Sequence, residues 1–195
     1  MKTKQNIKSL TKEEENFLLK IAAEAIKEHL LNNKKIQVKE SEVPAGAKTA
    51  ACCFVTLRKD GELRGCIGSL TTRQPLYLDV IDNAINAGFK DPRFFPLEED
   101  DLDDLKISIS VLSPTRPISF NSPLEIITYF EKNKCGAVIK NGKNQATYLP
   151  SVWKELPDVR AFLGSLCEKA GLSSHAWQDK GTTFEVFDAQ VFGEE

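Results

Sequence analysis

The sequence predicts an α+β fold, and three observations lead there. Segments with helical periodicity and segments with strand alternation follow one another in irregular order, not as repeated strand–helix units. Two strand pairs are joined by tight glycine-containing turns, at Asp60-Gly61 and around Asn141-Gly142. The composition, 41% hydrophobic and 28% charged over 195 residues, is that of an ordinary globule. The expected sheet is largely antiparallel or mixed. A chain of this length makes one domain or two small lobes sharing a core. It buries roughly 70% of the surface its unfolded form exposes, so the core needs neither a metal nor a disulfide.

Each element has its own warrant. Residues 11–32 predict a helix: Thr11 and Glu14 have capping-box spacing. Phe17, Leu18, Ile21, Ala22, Ala25, Ile26 and Leu30 recur at three- and four-residue steps, and Asn32-Asn33 suits the end. Residues 33–48 are polar, contain Pro44 and Gly46, and read as a surface loop. The stretch 49–70 reads as a hairpin around Asp60-Gly61, and 75–89 as a helix opened by Pro75 with Leu76, Val80, Ile81, Ala84, Ile85 and Phe89 on one face. Asp91-Pro92-Arg93-Phe94-Phe95-Pro96 stops that helix, because each proline lacks a donor and restricts its predecessor. A short acidic helix to Leu105 and a strand from Lys106 to Leu112 follow. Pro114, Pro117 and Pro123 punctuate the next stretch, and Pro123 opens a helix through Phe130. Residues 135–140 and 145–149 form the second hairpin, Trp153 lies in a turn, and a helix spans 158–170 with Asp158 as cap and Gly171 as stop. Thr182 to Phe192 reads as one last strand.

Several function classes fall away. Twenty-six basic against 28 acidic residues give a net charge of −2, which argues against a nucleic-acid partner held by a bulk basic field. No apolar run reaches the length of a signal peptide or a membrane span, so no membrane partner is expected. Five cysteines, with only Cys52-Cys53 close together and no C-x-x-C, fit reduced thiols in a cytoplasmic protein better than a disulfide framework or a zinc site. Two distant histidines, His29 and His175, make a histidine-based metal site a poor expectation, and no cofactor fingerprint or phosphate loop occurs, so none is expected.

The first hairpin carries the sharpest local signal. A two-residue Asp60-Gly61 loop would pair Leu57 with Arg64 and Arg58 with Leu63, setting apolar side chains against charges. A three-residue loop, Lys59-Asp60-Gly61, pairs Arg58 with Glu62, Leu57 with Leu63, Thr56 with Arg64 and Phe54 with Cys66, which separates the faces better. That register is preferred here. It places Arg64 and Cys66 on one face, where a cation favours the thiolate. Gly65 and Gly68 flank the thiol and offer close backbone approach to a ligand. The competing reading is a small buried cysteine with glycines present for packing. Downstream, Arg93 sits in a rigid proline-bounded loop with Asp91 two residues earlier. It serves either as an anion clamp or as a structural ion pair with the acidic run, Asp91 then capping a turn. That run, Glu98, Glu99, Asp100, Asp101, Asp103 and Asp104, reads as a solvated helix start or a docking surface for a basic partner.

Together these residues carry a resemblance. Leu63-Arg64-Gly65-Cys66-Ile67-Gly68 with Ser69-Leu70 resembles the hallmark hexapeptide of the AMMECR family. Asp91-Pro92-Arg93-Phe94 with Pro96-Leu97 resembles its second motif. Ala146-Thr147-Tyr148-Leu149-Pro150 with Val152-Trp153, then Leu166-Cys167 and Lys169-Ala170-Gly171-Leu172, is similar to its third region. The match runs from about residue 12 to 192 within a single domain of that type covering 1–195. Phe95 departs from it, standing where the family usually has a second proline. The resemblance implies two unequal lobes with the hexapeptide near the cleft between them. It also implies a role as the A component of the AmmeMemoRadiSam system, beside a Memo-like protein and a radical SAM protein. Two functions follow as expectations. One is an enzyme or enzyme component acting on a small anionic or carbonyl-bearing ligand. Cys66 would be its nucleophile or ligand contact, Arg64 would tune the thiol or bind the anion, and Arg93 would reach in from the facing lobe. The other is a non-catalytic adaptor.

Overall fold

The Thr11 hydroxyl accepts the Glu14 N–H, and the Glu14 carboxylate accepts the Thr11 N–H, closing the capping box that starts α1 (Lys12–Asn32). The structure, a computed structural model, describes residues 9–194. Leu18, Ile21, Ala22, Ala25 and Ile26 form the buried stripe of α1, and Asn33 ends it in the left-handed conformation. The segment 33–48 departs from the expected surface loop. A short 3₁₀ turn at Glu40–Glu42 and α2 (Ala45–Lys48) bury Val43 and Ala47. The second oxygen of Glu14 accepts the Gly46 N–H at 2.7 Å, so a helix cap also fastens this segment.

The chain forms two compact units of unequal length, one of residues up to Ser113 together with those from Gln190 onward, the other Pro114–Ala189. The first contains a four-stranded sheet in the order β2-β1-β3-β8: β1 (Cys52–Lys59), β2 (Glu62–Gly68), β3 (Lys106–Leu112) and β8 (Ala189–Gly193). β1 is antiparallel to both β2 and β3. Cys53, Val55 and Leu57 of β1 and Ile109 and Val111 of β3 face the helices. They pack with the α1 stripe and with Val80, Ile81 and Ala84 of α3 (Leu76–Phe89) in one core. Burying a side chain of this size stabilises by roughly 1.5–3 kcal/mol.

The second unit carries the sheet β4-β7-β5-β6, antiparallel throughout its paired strands: β4 (Arg116–Ile118), β5 (Gly136–Asn141), β6 (Asn144–Tyr148) and β7 (Thr183–Phe187). α4 (Pro123–Asn133), capped by Ser122, and α5 (Val159–Lys169), capped by Asp158, supply Phe130 and Phe162 to an aromatic core. There Trp153 stacks on Phe162 with centroids 3.8 Å apart, and its indole N–H donates to the Cys135 carbonyl. Two expectations are corrected. A strand forms among the prolines because Pro117 sits on edge strand β4, where its missing donor costs no ladder bond. The last strand is two strands, β7 and β8, parted at Asp188 and paired into different sheets. Among the described residues no helix is long and apolar enough to cross a membrane.

Candidate functional site

The first hairpin turns on Asp60 (φ 53°) and Gly61 (φ 80°), a two-residue loop with both central residues left-handed, closed by Lys59 opposite Glu62. Arg58 then lies opposite Leu63. Between Leu57 and Arg58 the register shifts, and Leu57 faces Gly65, Thr56 faces Cys66 and Phe54 faces Gly68. The three-residue loop preferred from sequence is therefore wrong, and so is the rejected two-residue register beyond its first pairs. Arg64 is the extra residue of a β-bulge. The bulge puts Gly65 rather than Arg64 against the core and restores the alternation with Cys66 on the face opposite Val55 and Leu57.

β2 is an edge strand, and its Cys66 backbone points away from β1. Asp91 and Arg93 satisfy it. The Cys66 N–H donates to Asp91 Oδ2 at 2.9 Å, and Arg93 Nη2 donates to the Cys66 carbonyl at 3.3 Å. Asp91 also accepts from the Arg93 backbone N–H, Nε and Nη2, the last at 2.6 Å. A side-chain pair thus takes the place of a neighbouring strand on an edge that is otherwise open to association. The guanidinium beside Asp91, helped by the two backbone N–H groups, outweighs burial and holds this carboxyl at about 2. The Asp91 side chain is only 2% exposed, while that of Arg93 is 54% exposed. Nε and Nη2 are engaged, and among the described residues Nη1 makes no hydrogen bond.

Arg64 is placed differently from expectation. Its Nη1 donates to the Phe95 carbonyl at 2.7 Å, and its Nη2 donates to the Pro96 carbonyl and to Asp101 at 2.9 Å. Lys59 joins Asp101 from the other side. Burial works against the charge of Asp101. The Glu98 N–H, Lys59 and Arg64 together overcome it and hold that carboxyl at about 2. The ion pair foreseen between Arg93 and the acidic run is thus made by Arg64, and the guanidinium next to Cys66 is that of Arg93. Arg93 does not come from a facing lobe, since it belongs to the same unit as Cys66. The two glycines are accounted for by packing. A Cβ on Gly65 would lie 2.1 Å from the Ala87 carbonyl oxygen of α3, and one on Gly68 would lie 2.4 Å from the Cys53 carbonyl oxygen. The space beside Gly65 is filled by backbone and that beside Gly68 by the Phe54 ring and backbone, leaving neither for a ligand.

The thiols differ sharply. Cys52, Cys53, Cys135 and Cys167 are buried, Cys66 is half-buried, and all five are free. Burial pushes the thiols of Cys52 and Cys53 up, with Asp79 adding to it, and raises Cys135 and Cys167 to about 11. Cys66 Sγ accepts a hydrogen bond from the Thr56 hydroxyl at 3.3 Å. Sequence reasoning missed Thr56. The signal was its place opposite Cys66, which appears only once the bulge is known. The arrangement brings a half-buried free thiol and one unengaged edge of a planar cation to the same residue. That pairing suits a carboxylate, a phosphate or a polarised carbonyl. Among the described residues no group of three or more histidine, cysteine or acidic side chains is placed to hold a metal ion.

Known proteins match most of the chain. The family model AMMECR1 matches residues 19–192. The chain is 36% identical to a protein of Methanothermobacter thermautotrophicus over 187 residues, covering 95% of this chain and 97% of that one. It is also 36% identical to a protein of Nanoarchaeum equitans, covering 91% and 99%. Among solved structures it is similar to an uncharacterized protein from Pyrococcus horikoshii, with a TM-score of 0.88 and 33% identity, covering 95% of this chain and 94% of that one.

Proposed function

The chain belongs to the AMMECR1 family, and we propose that it is an enzyme, or the subunit of one, that takes a small anionic or carbonyl-bearing ligand beside Cys66. One observation carries this reading: of the five free thiols Cys66 alone is not buried, and the Arg93 guanidinium is fixed on its own carbonyl. In this role Arg93 Nη1 meets the ligand's oxygen, and the Cys66 sulfur either contacts the adjoining carbon or, as thiolate, adds to a carbonyl there, the C=O π bond opening onto the oxygen that Arg93 Nη1 meets. Thr56 orients the sulfur. Asp91 is a positioning residue that aims Arg93, and Arg64 holds the loop from which Asp91 and Arg93 project.

Limiting alkylation with iodoacetamide, followed by mass-spectrometric mapping, tests the thiol. Cys66 should be labelled at least about tenfold faster than the other four cysteines. Labelling no faster than theirs sinks the proposal. From the resemblance of its motifs we also propose a place in the AmmeMemoRadiSam system beside a Memo-like protein and a radical SAM protein. Co-expression of the three components with a tag on this chain tests that place, and elution of the tagged chain alone counts against it.

A further inference from the structure

Phe95 is the most exposed large apolar residue among those described, at 89%, against 70% for Leu124, 50% for Leu31 and 43% for Val191. A single exposed aliphatic side chain is unremarkable on a protein surface. Phe95 differs in how it is held. Arg64 grips its carbonyl and that of Pro96, the Leu97 N–H donates to the Gly88 carbonyl at 2.9 Å, and Leu97 is buried in the core. Exposed Pro92 and Pro96 stand on either side of it in the chain. The ring is therefore displayed on a loop whose backbone is already ordered, which removes much of the entropic cost of binding. Rigid, apolar and aromatic is the description of an interface anchor.

The surroundings say what covers it. Glu98, Glu99, Asp100, Asp103 and Asp104 are exposed, and among the described residues none of the five makes an ion pair. Of the cations nearby, Arg64 and Lys59 are committed to Asp101, Arg93 to Asp91 and Lys106 to Glu194, so each already faces a carboxylate outside these five. We propose that Phe95 anchors a docking surface for a protein partner that presents an apolar socket rimmed by lysine or arginine. A second copy meeting this surface through a two-fold axis would oppose the acidic collar with itself, which is repulsive. An anionic lipid surface is repelled for the same reason.

A displayed library of random peptides, selected on the full chain and counter-selected on Phe95→Ser, tests this. The expected winners carry net positive charge around an aromatic or aliphatic core. They should lose about tenfold or more in affinity for Phe95→Ser and bind more weakly, with flatter salt dependence, to Glu98→Gln/Asp103→Asn/Asp104→Asn. Cys66→Ser should bind them as the parent does, which separates this outcome from that of the ligand reading. Neutral or acidic winners, or an absence of any Phe95-dependent binder, overturn the proposal. So does sedimentation showing a dimer of the parent chain that Phe95→Ser dissociates, because the surface would then belong to a second copy.

Discussion

The two hairpins of this protein start alike and end differently. Both close on two-residue turns, and both end in an edge strand. In the second, Gly142 takes φ 59° and the ladder then runs without interruption from Asn141 opposite Asn144 to Ala137 opposite Tyr148. In the first, the ladder breaks after two pairs and ejects Arg64. The exposed edges are also finished differently. Lys169 reaches the Thr147 carbonyl of β6 with a single flexible ammonium, whereas Asp91 and Arg93 grip both the N–H and the carbonyl of Cys66. A regular hairpin needs only its turn to fix register. A bulged one needs partners outside itself, and here those partners, Ala87 of α3 and the 91–101 segment, bring the candidate site together.

Three substitutions break or sharpen this contrast. The largest effect is expected from Gly65→Ala, whose new methyl would strike the Ala87 carbonyl, part of a helix backbone that cannot simply swing away. Chemical denaturation should show a loss of about 3 kcal/mol. A loss below about 1 kcal/mol would mean that the bulge can re-register. Asp91→Ala should come next, at about 2 kcal/mol, because the Cys66 N–H and the Arg93 guanidinium lose a shared charged acceptor. Its pH dependence is diagnostic. Asp91 and Asp101 are both held at about 2, below the ordinary 3.8, so each stabilises the folded chain fully above about pH 4 and loses that contribution as pH falls towards 2. The stability lost by the parent chain over that window should shrink in Asp91→Ala, and an unchanged slope would show that the buried carboxylate is not coupled to folding. The smallest effect is expected from Gly142→Ala in the regular hairpin. Nothing lies within 4 Å of the added Cβ, and only the positive φ opposes it, at about 1 kcal/mol.

What the sequence made legible was whatever chemistry acts over a few residues. The Thr11/Glu14 cap, the α1 stripe, the Asp158 cap and the Asp60-Gly61 turn all rest on contacts between near neighbours in the chain, and the structure has each of them. The register of β2 is different in kind. Alternation weighs each side chain as inward or outward, but a bulge adds a residue that is neither, and its cause is a helix carbonyl more than twenty positions away. For the same reason Arg64 and Arg93 were assigned to each other's surroundings. Both arginines were visible in the sequence as candidate anion-binding groups. Which carboxylate each would meet depended on how the 91–101 segment folds back along β2. The break at Asp188 was hidden too, because residues on both sides of it read as one continuous strand.

That break has a consequence for how the molecule is made. All of β8 but its first residue emerges from the ribosome after Pro114–Ala189, yet β8 completes the sheet begun by β1, β2 and β3. The intervening unit is one uninterrupted stretch and is free to fold as it is synthesised. Its predecessor must wait with the outer edge of β3 unpaired until Gly193 has been made.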